Sequence, residues 1–330
     1  MTTMFGDISP RTGAYAAKEL LKRGLPYLVL EKFGQAKELP GNSTKTIKFR
    51  RYNALDNTPV ALVEGVTPAS QSLTVTDVSI TLTQYGGLIT ISDVVQDTHE
   101  DPVLNESVTL LGEQAAQVVE RVRYGTLRAG VNVLLANGVS RSAINTPVSI
   151  SVQRRAVRAL KRQNARPITK IVRSTAAYGT ENVAPGFVAL IHPDLESDVR
   201  NLPGFVPAEK YGTMTPWENE LGKCEDVRYV SSTIFAPFAD AGGAKAGASG
   251  TCLSTSGTNA DVYPILYLGQ DAYGIVALKG GYAITPTVVN PKPSDSDPLG
   301  QRGHAGWKTM QGAVILNDAW MVRAEVGALA

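Results

Sequence analysis

Apolar or small residues recur at Leu104, Val108, Leu111, Ala115, Val118, Val122, Ala129 and Val133, the spacing of one helical face. The pattern predicts a long helix over 101–137, with Asp101 as N-cap, Pro102 in the first turn and Asn137-Gly138 as the stop. At 1.5 Å per residue such a helix spans roughly 50 Å and serves as a structural beam. Gly125 is its weak turn, and two helices broken there are the alternative. Glu106, Glu113 and Glu120 fill the front and Arg121, Arg123 and Arg128 the rear, an order that suits the helix dipole. A second helix is predicted over 148–164. Its buried side is Val152, Ala156, Val157 and Leu160, and its wet side is Arg154, Arg155, Arg158, Lys161 and Arg162.

Upstream, the period is two. Residues 44–52 alternate with Ile47 and Phe49 on one face and read as a strand. Residues 73–82 are strand-like, but the apolar phase slips from Leu73 and Val75 to Val78, Ile80 and Leu82, which predicts a β-bulge. Tyr85-Gly86-Gly87 reads as a turn and Leu88–Val95 as a returning strand. Between the first two strands, Asn53–Ser72 holds Pro59, Gly65 and Pro68 together with Val60, Leu62, Val63 and Val66. Apolar residues on so long a loop are wasted in solvent, so 41–97 reads as a two-stranded arm that reaches onto another subunit. Residues 1–40 form a basic arm with a short helix around Ala14–Arg23. Its Tyr27, Leu28, Val29, Leu30 and Phe33 must pack on the same subunit or a neighbour.

Beyond residue 165 the reading is mixed α/β. Strands are expected at Phe187–Ile191, Val227–Ile234, Ile265–Leu268, Ile275–Leu278 and Ala283–Val289, with a helix opening at Pro193. Ala239–Asn259 is a low-complexity stretch expected to be mobile, and Asn290–Pro298 is a linker. Trp307–Leu316 and Trp320–Val326 resemble two strands turned at Asn317-Asp318.

Composition excludes wholesale disorder: 330 residues, 43% apolar and 19% charged. The net charge of +2 hides strong blocks. Tyr52 to Glu120 carries ten acids and no Lys or Arg, and Arg121 to Thr180 carries twelve Lys and Arg and no acid. Adjacent blocks of opposite sign suit a chain that meets copies of itself head to tail, closing into rings or larger assemblies. Two cysteines in unlike contexts, Cys224 and Cys252, suit a reducing place of folding. The N-terminal sequence does not read as a signal peptide and no apolar run reaches the roughly 18 residues of a membrane span, so a soluble protein made in a cytoplasm is expected.

Chemistry is sparse. His192-Pro193-Asp194 with Glu196 and Asp198 could be a metal or acid–base cluster, but a strand followed by a helix whose first turn is acidic explains it better. His99, His192 and His304 show no metal-ligand spacing, and Gly242-Gly243-Ala244-Lys245 lacks the ending of a phosphate loop. No catalytic residue, cofactor or metal is expected. The candidate functional residues are Arg154, Arg155, Arg158, Lys161 and Arg162, facing either a neighbouring subunit or nucleic acid phosphates. For the subunit contact, the matching acids are Asp77, Asp93 and Asp97.

Three segments carry a family resemblance: LKRQNARPITKIV at 160–172, FVALIHPDLESDVRNLPGF at 187–205 and DPLGQRGHAGWKTMQGAVILNDAWMVRAEVGA at 297–328. Together they resemble the major capsid proteins of tailed bacteriophages, in the branch similar to coliphage N-four. The resemblance implies an α+β, Hong Kong 97-like fold: N-terminal arm 1–40, extended β-hairpin loop 41–97, peripheral domain 98–164 with spine helix 101–137, axial domain 165–290 and a C-terminal return to the peripheral domain at 291–330. It implies hexamers and pentamers that enclose double-stranded DNA in an icosahedral virion shell, assembled in the bacterial host cytoplasm. A separate scaffold protein, a portal and a decoration protein are the further partners it suggests. The alternatives are an encapsulin-like nanocompartment shell and, in another class, an enzyme using His192 and Asp194.

Overall fold

Residues 27–37, 45–93, 103–172, 180–212, 215–247, 249–276, 284–289, 291, 293 and 297–330 are described by a computed structural model of the chain. The helix expected at Ala14–Arg23 and most of the 290–298 linker lie outside them.

After β1 (Gln35–Lys37), β2 (Thr46–Tyr52) and β3 (Val75–Thr81) form an antiparallel ribbon. Its register runs unbroken from Thr46 opposite Thr81 to Tyr52 opposite Val75, so the expected bulge is not there. The phase slip has another cause. Ile47, Phe49, Ile80 and Leu82 point into a core cluster with Val276, whereas Leu73 and Val75 are 70% and 46% exposed. The apolar pattern changes phase where the ribbon leaves the body of its own subunit.

After Leu82 the chain continues as β4 (Thr83–Ser92), which pairs antiparallel along its whole length with β16 (Arg302–Gln311). The turn expected at Tyr85-Gly86-Gly87 is instead mid-strand. Gly87 is there for close approach: a Cβ would collide with Gln114 Oε1 and lie 2.8 Å from Trp307 Nε1. Those two side chains are themselves bonded, Trp307 Nε1 donating to Gln114 at 3.1 Å.

Helix α1 covers Val103–Arg128, shorter at its C-terminal end than the sequence pattern, and Val133–Leu135 forms strand β5, parallel to β18 (Met321–Val326). The last turn of the helix closes with Gly130 N donating to Leu127 O, at a position where a Cβ would collide with the Met321 side chain. Gly125 does not break it; its backbone faces open space. Gly125→Ala should therefore stabilise the subunit by up to about 1 kcal/mol, read as a rise in the urea midpoint. Along α1, Val108, Leu111 and Ala115 pack on Trp307, Ala305 and Ile284; Ala116 and Val119 on Leu28; and Tyr124 and Leu127 on the sheet described next.

α2 (Ile150–Arg162) is followed by β6 (Ile168–Val172), β7 (Thr180–Ile191), the short α3 (Glu196–Arg200), β8 (Phe205–Pro207), β9 (Glu220–Cys224) and β10 (Val227–Ser231). β11 (Ala246–Gly247) and β12 (Gly250–Thr251) pair with each other. β13 (Tyr263–Leu268), β14 (Tyr273–Val276), β15 (Thr285–Val289), β16, β17 (Ala313–Ile315) and β18 complete the described chain. The main sheet has the order β5-β18-β13-β7-β10-β9-β8, with β6 also on β7. Alternate residues separate its faces. Phe187, Ala189 and Ile191 with Tyr229, Ile265 and Tyr267 meet Val152, Ala156 and Leu160 of α2. Val188 and Leu190 with Leu266 and Leu268 meet the end of α1 and the segment Val29, Leu30 and Phe33. Those N-terminal apolar residues thus pack within their own chain.

Trp307–Leu316 and Trp320–Val326 do not pair with each other. β17 pairs with β14, and β18 lies in the main sheet between β5 and β13. All six residues of β18 are buried, so this central strand reads as continuous burial and gives no hint of its partners. The stretch 239–259, expected to be mobile, is held by a dense set of bonds. Gly242 N donates to Ala260 O, Gly243 N to Ile144 O and Lys245 N to Thr258 O, and Asp240 accepts from Ser254 and Ser256. Small residues are needed there because the loop lies on the backbone of 143–145. The mix of helices and strands agrees with the expected α+β class.

Candidate functional site

Ser149 caps α2, its Oγ accepting from Val152 N at 3.4 Å. The helix is held by more than its apolar face. Buried Gln153 donates to Cys224 O at 2.8 Å and accepts from Tyr229 OH at 2.8 Å, which fixes its rotation on the sheet. The cationic side is then set outward. Arg154 forms a forked bond to Glu225, with Nε at 2.9 Å, and Lys161 pairs with Asp226. Glu225 adopts a φ of 52° in the turn joining β9 and β10, which brings both carboxylates to the helix. The Arg154 guanidinium holds the Glu225 carboxyl below the usual carboxylate range. Both pairs are exposed and contribute little stability. Among the described residues, Arg155, Arg158 and Arg162 have no such partner and are exposed. All five cations are readable from the helical pattern. Their pairing with Glu225 and Asp226 is not, because it depends on a turn some 70 residues downstream.

Of the acidic candidates, Asp77 lies on the ribbon and is bonded by Arg50 of the facing strand, at 2.8 Å to each carboxylate oxygen. That bond holds its carboxyl below the usual range. Asp93 lies just beyond β4, half-buried, its backbone N–H donating to Gln301 O. Asp97 lies outside the described residues. The structure does not bring Asp77 or Asp93 to α2 within one subunit. Beyond β2 and β3, residues 53–74 have no regular structure, and Leu55, Val60, Leu62, Val63 and Val66 are 54–75% exposed.

His192 and Asp194 form a cap. His192 Nδ1 accepts from Asp194 N at 3.3 Å, Tyr263 OH donates to Asp194 at 2.6 Å, and Asp198 accepts from Leu329 N at 3.0 Å. Burial pushes the Asp198 carboxyl up. Each group is spent on joining β7, α3 and the C-terminus. Among the described residues no cluster of His, Cys, Asp or Glu could hold a metal ion, and no helix is long and apolar enough to cross a membrane. Both cysteines are buried and free, with their thiols pushed up by burial.

A buried cluster escapes the sequence pattern. Glu120 and Arg123, which the sequence shows only as charges ordered to suit the helix dipole, are fully buried. Glu120 Oε1 accepts from Val29 N at 3.0 Å and Leu30 N at 2.6 Å. Arg123 donates to Gln311 at 3.1 Å and lies 3.6 Å from Glu31. Burial pushes the Glu120 carboxyl up to about 7, against the lowering pull of Arg123.

The profile of the phage capsid protein family matches residues 75–251. No curated protein matches the sequence. The fold is similar to the capsid of Ralstonia phage GP4, at a TM-score of 0.69 and 14% identity, over 90% of this chain and 87% of that one. It is similar to the capsid of cyanophage Pam1, at 0.63 and 13%, over 93% and 92%. The capsid of cyanophage P-SCSP1u gives 0.57 and 13%, over 92% and 89%. With the family profile spanning more than half of the chain, and the same fold in these phage capsids, the chain belongs to the phage capsid protein family.

Proposed function

We infer that the subunit self-assembles into hexamers and pentamers that close an icosahedral head around double-stranded DNA, without any catalytic step. The observation that carries this reading is the apolar loop at the end of the β2–β3 ribbon: an isolated subunit leaves Leu55, Val60, Leu62, Val63, Val66 and Leu73 in water. Exposed apolar patches of that kind mark protein contact sites. The Hong Kong 97-like division assigns 1–40 to the N-terminal arm, 41–97 to the extended loop, 98–164 to the peripheral domain, 165–290 to the axial domain and 291–330 to the return. Continuous pairing of β4 with β16 supports the last step, since it joins the C-terminal part to the base of the loop. The three segments quoted above favour the coliphage N-four-like branch. A separate scaffold protein and a portal complete the assembly in the host cytoplasm, with a decoration protein as an outer partner.

Purified subunits, followed by light scattering and negative-stain microscopy, should form rings or closed particles as concentration rises. A clean 35.1 kDa monomer under all salt and concentration conditions would refute the reading.

A further inference from the structure

We propose that Arg155, Arg158 and Arg162 of α2 are a contact for the phosphate backbone of duplex nucleic acid, made without regard to base sequence. The proposal deepens the head reading, which supplies the duplex, but stands on the geometry of the helix. The three residues follow at intervals of three and four, so they share one stripe of the helix. They span about 10 Å along its axis. A duplex presents a phosphate about every 1.7 Å of its axis, so three guanidinium groups can each meet a different one. Arginine suits this contact, because its planar fork bonds phosphate oxygens in pairs.

Two features separate this row from an ordinary solvated face. Arg154 and Lys161, on the flanks, are tied to Glu225 and Asp226, so those carboxylates are already matched and the helix is fixed in rotation. The row itself is left without a partner, with Val157, Arg158 and Arg162 lining a shallow groove beside the two pairs. The one amide side chain of the helix, Gln153, is buried and bonded at both ends, so it is not available to read an adenine edge.

A second copy of the chain is the competing occupant, and among the described residues several acids of the 52–120 block are already engaged or stand alone. Asp77 is held by Arg50, Glu113 accepts from Tyr27 and Glu120 is buried. Glu64 and Glu106 stand singly on separate elements, in the loop and at the start of α1. None of these forms a row that matches the spacing of three arginines.

The test uses full-length subunits and a fluorescent mixed-sequence duplex of about 30 base pairs, titrated by anisotropy over roughly 50 to 200 mM salt. The triple variant R155Q/R158Q/R162Q should bind at least tenfold more weakly at the low-salt end. Its plot of log K against log salt should be shallower by about 0.9 for each phosphate left unneutralised. The single variant R158Q should show about one such step, and R155K/R158K/R162K should keep the wild-type slope. An unchanged slope in the triple glutamine variant overturns the proposal, as does wild-type protein that does not bind the duplex. If that variant keeps its slope and no longer forms heads, the row is a contact with a second copy. Particle formation by the wild type is scored separately by microscopy. Its absence counts against the head reading and leaves the salt slopes to decide the phosphate contact.

Discussion

Arg123→Ala is expected to lower the stability of the subunit by about 3–5 kcal/mol, the cost of stripping a buried carboxylate of its cation. The guanidinium is fully buried between α1, the N-terminal segment and β16, where it faces Glu31, Gln311 and Val276 O. Removing it leaves Glu31 and Glu120 in the same low-dielectric pocket with no cation. The consequence reaches the N-terminal segment directly, because Glu120 also holds the N–H groups of Val29 and Leu30 and Tyr273 OH donates to Leu30 O at 2.5 Å. Urea unfolding of the variant beside the wild type reads the loss as a fall in midpoint.

The same pocket makes stability depend on pH. Native Glu120 keeps its proton up to about 7, whereas the unfolded chain releases it near its ordinary value of 4.5. Between those values the native state binds more protons, so stability falls as pH rises. The contribution is fully present below the unfolded value and lost through the native one, up to about 3 kcal/mol in all. Arg123, Glu31 and the Tyr273 hydroxyl are the other titratable groups facing it. Glu120→Gln should flatten this slope. Urea midpoints at pH 5, 6, 7 and 8 measure it, and a wild-type midpoint that rises across that range would contradict the assignment.

Replacing Asn53–Ser72 by a short type I′ turn should leave the fold intact and abolish closed particles. The ribbon contributes to the core only through its base, where Ile47, Phe49, Ile80 and Leu82 surround Val276. The deleted loop carries five side chains that the subunit leaves mostly in water. Each would gain about 1.5–3 kcal/mol if buried against a neighbour, so the loop is worth several kcal/mol to every contact it makes. Circular dichroism should be preserved and microscopy should find no heads. Normal particles from the shortened chain would exclude the loop as an interlocking element.

Both long helices are legible in the sequence because their periodic faces are long, although α1 ends at Arg128, well before the expected stop at Asn137-Gly138. Local strands at Ile47–Phe49 and Phe187–Ile191 are legible for the same reason. The errors fall where a residue answers to something distant in sequence. Gly86-Gly87 has the composition of a turn, but the smallness of Gly87 serves Trp307 and Gln114. Val133 continues the helical spacing, yet its segment is captured by β18, nearly 200 residues away. Glu120 and Arg123 read only as charges ordered to suit the helix dipole until the N-terminal segment and β16 close over them. At the basic helix the cations are visible, while the sorting into paired and unpaired ones belongs to the β9–β10 turn.

The edges of the main sheet bear on solubility. β5 and β8, at its two ends, are each three residues long, and β8 finishes on Pro207, which has no N–H to offer. Short or proline-marked edges discourage strand-to-strand pairing between molecules. A protein that must accumulate to high local concentration before it is ordered faces a standing hazard of amorphous precipitation through sheet extension. With so little ladder exposed at either end, copies that collide are steered away from that route, and association is left to side chains that can be matched one to another.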